Sequence, residues 1–377
     1  MRAGLHFSYV WMMLAFAPIM GVRVMFVLFA LDLGAGAFEV GLVAAASQAP
    51  MLLLSIPVAL AMDRYGARAV LTASTLCALL GVLLPWAFPA MASVLVGSLL
   101  FGLANVLSSQ PLQKLMGMLS TPGTLARNFS RYMFLGATVG FLGPFAGGFA
   151  IDALGHASAM LIFLPLELTC LAMLAARGGM LPRAAREGEE RGSLAQTLAD
   201  RAVRRLMAVT SIAALGLELY PFFLPIYGHA AGLSATVIGG IVSVVAIGAL
   251  LLPFGLARLV RALGEMRVLG LCLAGMSLAF LMLLPGANPW VLALSAFLFG
   301  FASCAVIPVS AMLAFNRLPA LRAGQFLGVR NTGNAAVRVV APPVFGALAA
   351  LLGLPAVFVA AALIMGAAGA WVRRQAG

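Results

Sequence analysis

Runs of about 20 apolar residues, divided by short clusters of Arg, Asp, Gly or Pro, recur along the whole chain. A run of that length crosses a bilayer core of roughly 30 Å as a single helix. Division at the polar clusters predicts twelve spans, at residues 8–31, 39–62, 69–88, 91–111, 128–151, 157–176, 206–227, 235–256, 268–284, 289–315, 326–351 and 354–372. The basic residues test that division. Lys and Arg fall at the first terminus and in every second connection: Arg2; Arg64 and Arg68; Lys114, Arg127 and Arg131; the stretch from Arg177 to Arg205; Arg258, Arg261 and Arg267; Arg317, Arg322 and Arg330; and Arg373 and Arg374. The alternate connections carry Asp32, Glu39, Asp152, His156 and His229 instead. Of the 23 Lys and Arg, only Arg23 and Arg338 fall outside the basic set. The positive-inside rule reads this as a multi-pass protein of the cytoplasmic (inner) membrane with both termini in the cytoplasm, and an even number of spans follows.

Composition narrows the class. With 63% hydrophobic and 9% charged residues among 377, and a mean hydropathy of +1.09, the chain carries too little charge to coat a water-facing surface. Its solvent is a lipid bilayer, and no sizeable soluble domain fits between the spans. The net charge of +12 raises nucleic acid as a partner, but that reading needs the charge on one folded face. Here it is scattered over alternate loops, so no nucleic acid is expected. The expected partners are lipid, a small-molecule substrate and a coupling proton, and the expected state is monomeric. Cys77, Cys170, Cys272 and Cys304 lie inside apolar runs with no CxxC and no nearby His, so no disulfide, metal or cofactor is indicated. Arg2 precedes an apolar stretch too long for a signal-peptide core and without a small-residue cleavage site, so that stretch stays as the first span.

The long polar stretch in the middle of the chain divides it into an N-terminal six-helix bundle (1–176), a cytoplasmic linker (177–204) and a C-terminal six-helix bundle (205–377). Within the linker, Ser193 and Gln196 have the spacing of a capping box; the segment is either a short helix on the membrane surface or a solvated, disordered link. A constant offset of 198 residues (239 − 41) aligns the halves: Gly41 with Gly239, Gly66 with Gly264, Phe101 and Gly102 with Phe299 and Gly300, Pro144 with Pro342, and Gly148 with Gly346. A gapless register that pairs Gly and Pro marks two parallel repeats of six helices.

The loop between the second and third spans reads Asp63-Arg64-Tyr65-Gly66-Ala67-Arg68, and the fifth span carries Gly140, Gly143, Pro144, Gly147 and Gly148. The first resembles the signature loop of the major facilitator superfamily and the second the Gly-Pro motif of its antiporter branches; with the repeat and topology, the resemblance covers essentially the whole chain. It implies an all-α polytopic membrane protein with twelve transmembrane helices in two six-helix bundles, spans 1, 4, 7 and 10 lining a central cavity. It further implies that Asp63, Arg64, Gly66 and Arg68 lock the cytoplasmic side shut in the outward-open state. The residues also have a reading of their own: Gly66 suits a tight turn, Asp63 can face a helix N-terminus, and the glycines of span 5 clear a stripe for a close partner helix, with Pro144 inviting a bend. Together these make either a pivot or static tight packing. In the second half Arg261 stands where Asp63 does, so a matching latch there is not expected.

Arg23, Glu167, Glu218 and Arg338 are the ionisable residues near the middle of predicted spans. Each would cost about 2.5 to 3.5 kcal/mol facing lipid, so they face a cavity or one another. Asn331, Asn334 and Arg338 share one face of span 11 at i, i+3 and i+7, a set able to anchor an anion through a bidentate guanidinium; the alternative is a structural arginine. Arg338 matches Gly140 in the first half, where packing needs no cation. Glu218 matches Met20 and Arg23 matches Pro221, which brings Arg23 and Glu218 to similar depths. They form either a permanent ion pair or a pair that substrate breaks, moving a proton at Glu218. Glu167, in a peripheral span, is expected to bond within the N-terminal bundle. Asn105 and Tyr220 add hydrogen-bonding groups to the expected substrate site.

Secondary active transport by alternating access follows, and the chain has no GxxxxGK[ST] sequence for ATP-driven work. The span 5 motif favours proton-coupled efflux (antiport) of a small organic amphiphile or anion. Against it, drug-proton antiporters of the superfamily carry an Arg four residues before a Gly in span 4, and here Ser98 precedes Gly102. The alternative is proton symport or exchange of a carboxylate-bearing metabolite anchored by Arg23 and Arg338. A membrane enzyme is not expected, because His6, His156 and His229 sit near span ends and no acid-base set appears. A non-transporting sensor or scaffold on the same fold is the reading from a different class.

Overall fold

The computed structural model describes residues 2–181, 201–317 and 320–374; the linker segment around Ser193 and Gln196 lies outside them, as does the side chain of Asp63. Among the described residues the regular structure is helical, without strands. In chain order the helices are α1 (Arg2–Asp32), α2 (Ala37–Met62), α3 (Arg64–Ala87), α4 (Met91–Met118), α5 (Pro122–Leu154) and α6 (His156–Arg177). The second set is α7 (Arg201–Ala230), α8 (Ala235–Leu263), α9 (Glu265–Leu281), α10 (Pro289–Ser303, continued by Val306–Arg317), α11 (Ala320–Leu352) and α12 (Leu354–Arg374). Ten of them are long and apolar enough to cross a membrane. The other two, α8 with 29 residues and α9 with 17, complete two sets of six; α9 is about 25 Å long at 1.5 Å per residue.

Local chemistry sets the breaks. Gly66, at φ 81° and ψ 163°, lies in the left-handed half of backbone space that a Cβ disfavours, and it kinks the chain two residues into α3, setting α2 and α3 apart. Its repeat partner Gly264 has φ 79° and ψ 157° and separates α8 from α9. Ser234 caps α8 by accepting from Val237 N at 3.3 Å, and Asn288 caps α10 by accepting from Trp290 N at 3.0 Å, with Pro289 at the first helical position. The continuous span expected at 289–315 is interrupted at Cys304–Ala305, where two residues leave the helical pattern.

The 198-residue offset is a packing relation. A Cβ on Gly102 would overlap the Ser47 carbonyl oxygen, and one on Gly300 would overlap the Val245 carbonyl oxygen; each pair differs by 198 (300 − 102, 245 − 47), so α4 packs on α2 as α10 packs on α8. The bundles meet through two crossings related in the same way. At the first, α5 on α8, Gly148 lies against the Ala235 carbonyl and Gly239 against the Pro144 carbonyl. At the second, α11 on α2, a Cβ on Gly346 would lie 2.6 Å from the Ala37 oxygen and one on Gly41 2.8 Å from the Pro342 oxygen. Both crossings lie toward the ends that carry the acidic loops. The outward surface of the helices is apolar, with Leu53, Ile56, Leu60, Leu351 and Leu363 exposed, as suits contact with lipid rather than water.

Candidate functional site

Arg23 of α1 and Glu218 of α7 form an ion pair between the bundles, Arg23 Nη2 donating to Glu218 Oε1. The two partners are unequal. The Arg23 side chain keeps 34% of its surface accessible, whereas that of Glu218 keeps 1%. Arg338 of α11 lies within electrostatic reach of both. Among the described residues its buried Nε has no hydrogen-bond acceptor, and Oδ1 of Asn334, one turn earlier on the same helix, has no donor. Two guanidinium groups and one carboxylate therefore share the centre of the molecule, leaving an excess positive charge beside polar atoms with unused bonding capacity.

A cavity opens on the Arg23 side of the pair. Its walls come from α1, α2, α4 and α7, with Arg23, Gln48 and Asn105 as polar groups and Phe26, Phe101 and Phe222 among the apolar ones. Ser98 lines it too but donates to the Val43 carbonyl at 2.6 Å, so its hydroxyl serves the α4–α2 contact. A few polar groups in an otherwise apolar chamber are the composition of a small-molecule site. Gln48 takes its place here from the face of α2 that meets α4.

Other expected site residues lie elsewhere. Tyr220 is no part of the cavity. It is fully buried in the C-terminal bundle, its hydroxyl 2.5 Å from Ser295 Oγ and its ring stacked on Phe299 at 4.1 Å. Pro221 and Phe222, which do line the cavity, lie about 100° and 200° round α7 from position 220, so Tyr220 faces another side of the helix. The side-chain oxygen of Asn331 accepts from Arg330 Nη2 at 3.4 Å, and Arg330 donates to Ser310 Oγ at 2.9 Å, which ties α11 to α10. Glu167 is sealed inside the N-terminal bundle at 1% exposure, and the hydrogen bond expected for it there is not formed: neither oxygen has a partner among the described residues.

The span 5 glycines serve two partners rather than one. Gly143 faces the Ala17 carbonyl and Gly147 faces Met25, both on α1 within the bundle; Gly140 and Gly148 face Ala246 and Ala235 on α8, across the interface. In the signature loop, Arg68 donates to the Ala175 carbonyl at 3.4 Å, so a cation sits at the C-terminal end of α6, where the helix dipole favours it.

At the acidic-loop end a third group of charges spans the interface. Asp152, in the last turn of α5, accepts from the backbone N–H of Ala235 at 3.0 Å and of Thr236 at 2.7 Å, at the start of α8. Beside it His156 Nδ1 lies 3.2 Å from Asp32 Oδ2, and its ring stacks on Phe29. Among the described residues no cluster of His, Cys, Asp or Glu is arranged to hold a metal ion.

A family model described as Major Facilitator Superfamily matches residues 6–227 and 206–376. No curated protein matches the chain in sequence. Among solved structures, a point mutant of the peptide transporter POT in complex with sulfate superposes with a TM-score of 0.80 at 15% identity, covering 99% of this chain and 93% of that one. A point mutant of the nucleoside transporter NupG gives 0.80 at 11% identity, covering 99% and 98%. A POT family transporter in complex with 5-aminolevulinic acid gives 0.79 at 12%, covering 99% and 95%. At these identities the likeness extends to the fold.

Proposed function

Since the chain belongs to the major facilitator superfamily and is therefore a transporter, we propose that it carries a small organic anion, bound at Arg23, together with a proton. The observation that carries this reading is the inequality of the central pair, 34% accessible for Arg23 against 1% for Glu218. A ligand entering the cavity meets the cation first. An anionic group taking Arg23 in bidentate fashion leaves Glu218 without that partner in the membrane interior, where an unpaired carboxylate is costly. Proton uptake at Glu218 then returns the site to the net charge it had before the anion entered, so anion and proton favour each other's binding and move in the same direction. Arg338, within electrostatic reach of the pair, supplies a second cation and Asn334 an amide one turn from it, Asn105 supplies an amide on the cavity wall, and the phenylalanine walls suit an apolar body. In this reading Asn331 supports Arg330 and Tyr220 supports the bundle, and neither meets the substrate.

We further read the basic-loop face as cytoplasmic, on the asymmetry of Lys and Arg, which makes the closed acidic face the outer one. Alternating access then moves residues 1–176 against 205–377, with 177–204 as the link. Reconstitution in proteoliposomes tests the coupling. An imposed pH gradient should drive uptake of a carboxylate-bearing amphiphile down the proton gradient. Glu218→Gln should keep anion exchange but lose its response to the pH gradient, and Arg23→Gln should weaken anion binding by about tenfold or more. Anion movement against the proton, as in the efflux suggested by the span 5 glycines, or indifference to the gradient, would overturn the symport reading.

A further inference from the structure

We propose that Asp152 is the latch that keeps the acidic-loop face closed, and that its action is confined to one of the two pseudo-symmetric crossings between the bundles. The carboxylate belongs to the N-terminal bundle and the amides it accepts from, Ala235 N at 3.0 Å and Thr236 N at 2.7 Å, belong to the C-terminal one. These are first-turn amides of α8, which have no partner within their own helix. With Ser234 taking Val237 N, three donors of the α8 end are satisfied, two of them by a charge from across the interface. Opening this face separates α5 from α8 and leaves those two donors and the carboxylate to find water.

The second crossing shows what the latch adds. Ala37 and Phe38, the first amides of α2, correspond to Ala235 and Thr236 (235 − 37 = 236 − 38 = 198), and the residue that corresponds to Asp152 is Ala350 (350 − 152 = 198). The glycine approaches are repeated there, Gly346 on the Ala37 carbonyl and Gly41 on that of Pro342, but the carboxylate is not. Glu39 accepts from Gly36 N at 2.7 Å and so caps α2 from within its own bundle. Backbone complementarity is thus common to both crossings, and of the two crossings one carries charge-assisted bonds from a carboxylate of the opposite bundle. The neighbouring Asp32 and His156 pair with each other inside the N-terminal bundle.

The symmetry also supplies the test. Full-length protein in lipid nanodiscs, spin-labelled through non-cysteine handles at Phe88 and Trp290, which are exposed at the acidic-face ends of opposite bundles, reports the opening as a distance distribution. Asp152→Ala should raise the population of the long distance about fivefold, the order expected for losing a carboxylate at a helix N-terminus with two charge-assisted bonds, and Asp152→Asn should raise it less. In the Asp152→Ala background, Ala350→Asp together with Glu39→Gln, which removes the carboxylate already at the α2 end, should recover the short distance by building the latch at the other crossing. An unchanged distribution in Asp152→Ala, or a rescue variant no more closed than its parent, overturns the proposal. The readout needs no substrate, so it stands or falls apart from the anion and proton reading.

Discussion

At the scale of single residues, the Arg23–Glu218 pair and the buried Tyr220 obey one rule with opposite outcomes. A charge in the membrane interior must find a counter-charge or water, which is why the four ionisable residues of the spans could be singled out by depth alone, and why Arg23 and Glu218, at matching depths in the two halves, meet. A neutral tyrosine has more ways to be satisfied. Its hydroxyl needs one partner, and Ser295, itself donating to the Ala279 carbonyl at 2.7 Å, provides it inside the C-terminal bundle. Nothing in the sequence says which side of α7 faces the cavity, so depth without azimuth does not separate Tyr220, packed on Ser295, from Pro221 and Phe222, which line it. Glu167 escaped for a related reason, since its surroundings are set by how α6 lies on its neighbours. Tyr220→Phe should accordingly cost about 1 kcal/mol of stability, the net value of one buried hydrogen bond, seen as a lower midpoint in thermal unfolding in detergent, with anion affinity unchanged. A loss of affinity larger than the loss of stability would put the hydroxyl in the cavity after all.

At the scale of elements, small residues decide which helices touch. Gly102 and Gly300 are places where a side chain would strike a backbone carbonyl of the adjacent helix, and a carbonyl cannot step aside as a flexible side chain can. Gly102→Ala and Gly300→Ala should each destabilise their bundle by about 1 to 3 kcal/mol, the usual range for overpacking, and by similar amounts because the contacts are equivalent. Gly240 is the control. Its Cβ would meet only Phe145 Cδ2, at 3.9 Å, so Gly240→Ala should be neutral or stabilise by up to about 1 kcal/mol through helix propensity; equal losses at all three positions in thermal unfolding would show that close approach is not the reason for these glycines. The repeat that pairs Gly102 with Gly300 was readable because the contact demands the same residue in both halves. The division of the span 5 glycines between α1 and α8 was not, because five small residues within nine positions clear more than one stripe of a helix.

At the scale of the whole molecule, alternating access requires two closed faces that exclude each other, and the two latches proposed for them would each use a carboxylate of the first half. Asp152 caps α8 across the acidic face. Asp63, in the loop that resembles the superfamily signature, is the counterpart we propose for the basic face, where the resemblance implies a lock in the opposite state. The second half has Ala350 and Arg261 at the corresponding positions, so neither latch is duplicated and each rests on a single carboxylate. An equilibrium balanced between two such latches responds to the difference in their strengths, not to their sum. Asp152→Asn should therefore shift the population toward the state open at the acidic face and Asp63→Asn toward the state open at the basic face, while the double variant should return close to the wild-type ratio and exchange between states faster than either single variant. The spin-label distance between positions 88 and 290 checks all three. If Asp63→Asn shifts that distance in the same direction as Asp152→Asn, the two carboxylates do not hold opposite faces and the paired-latch account fails.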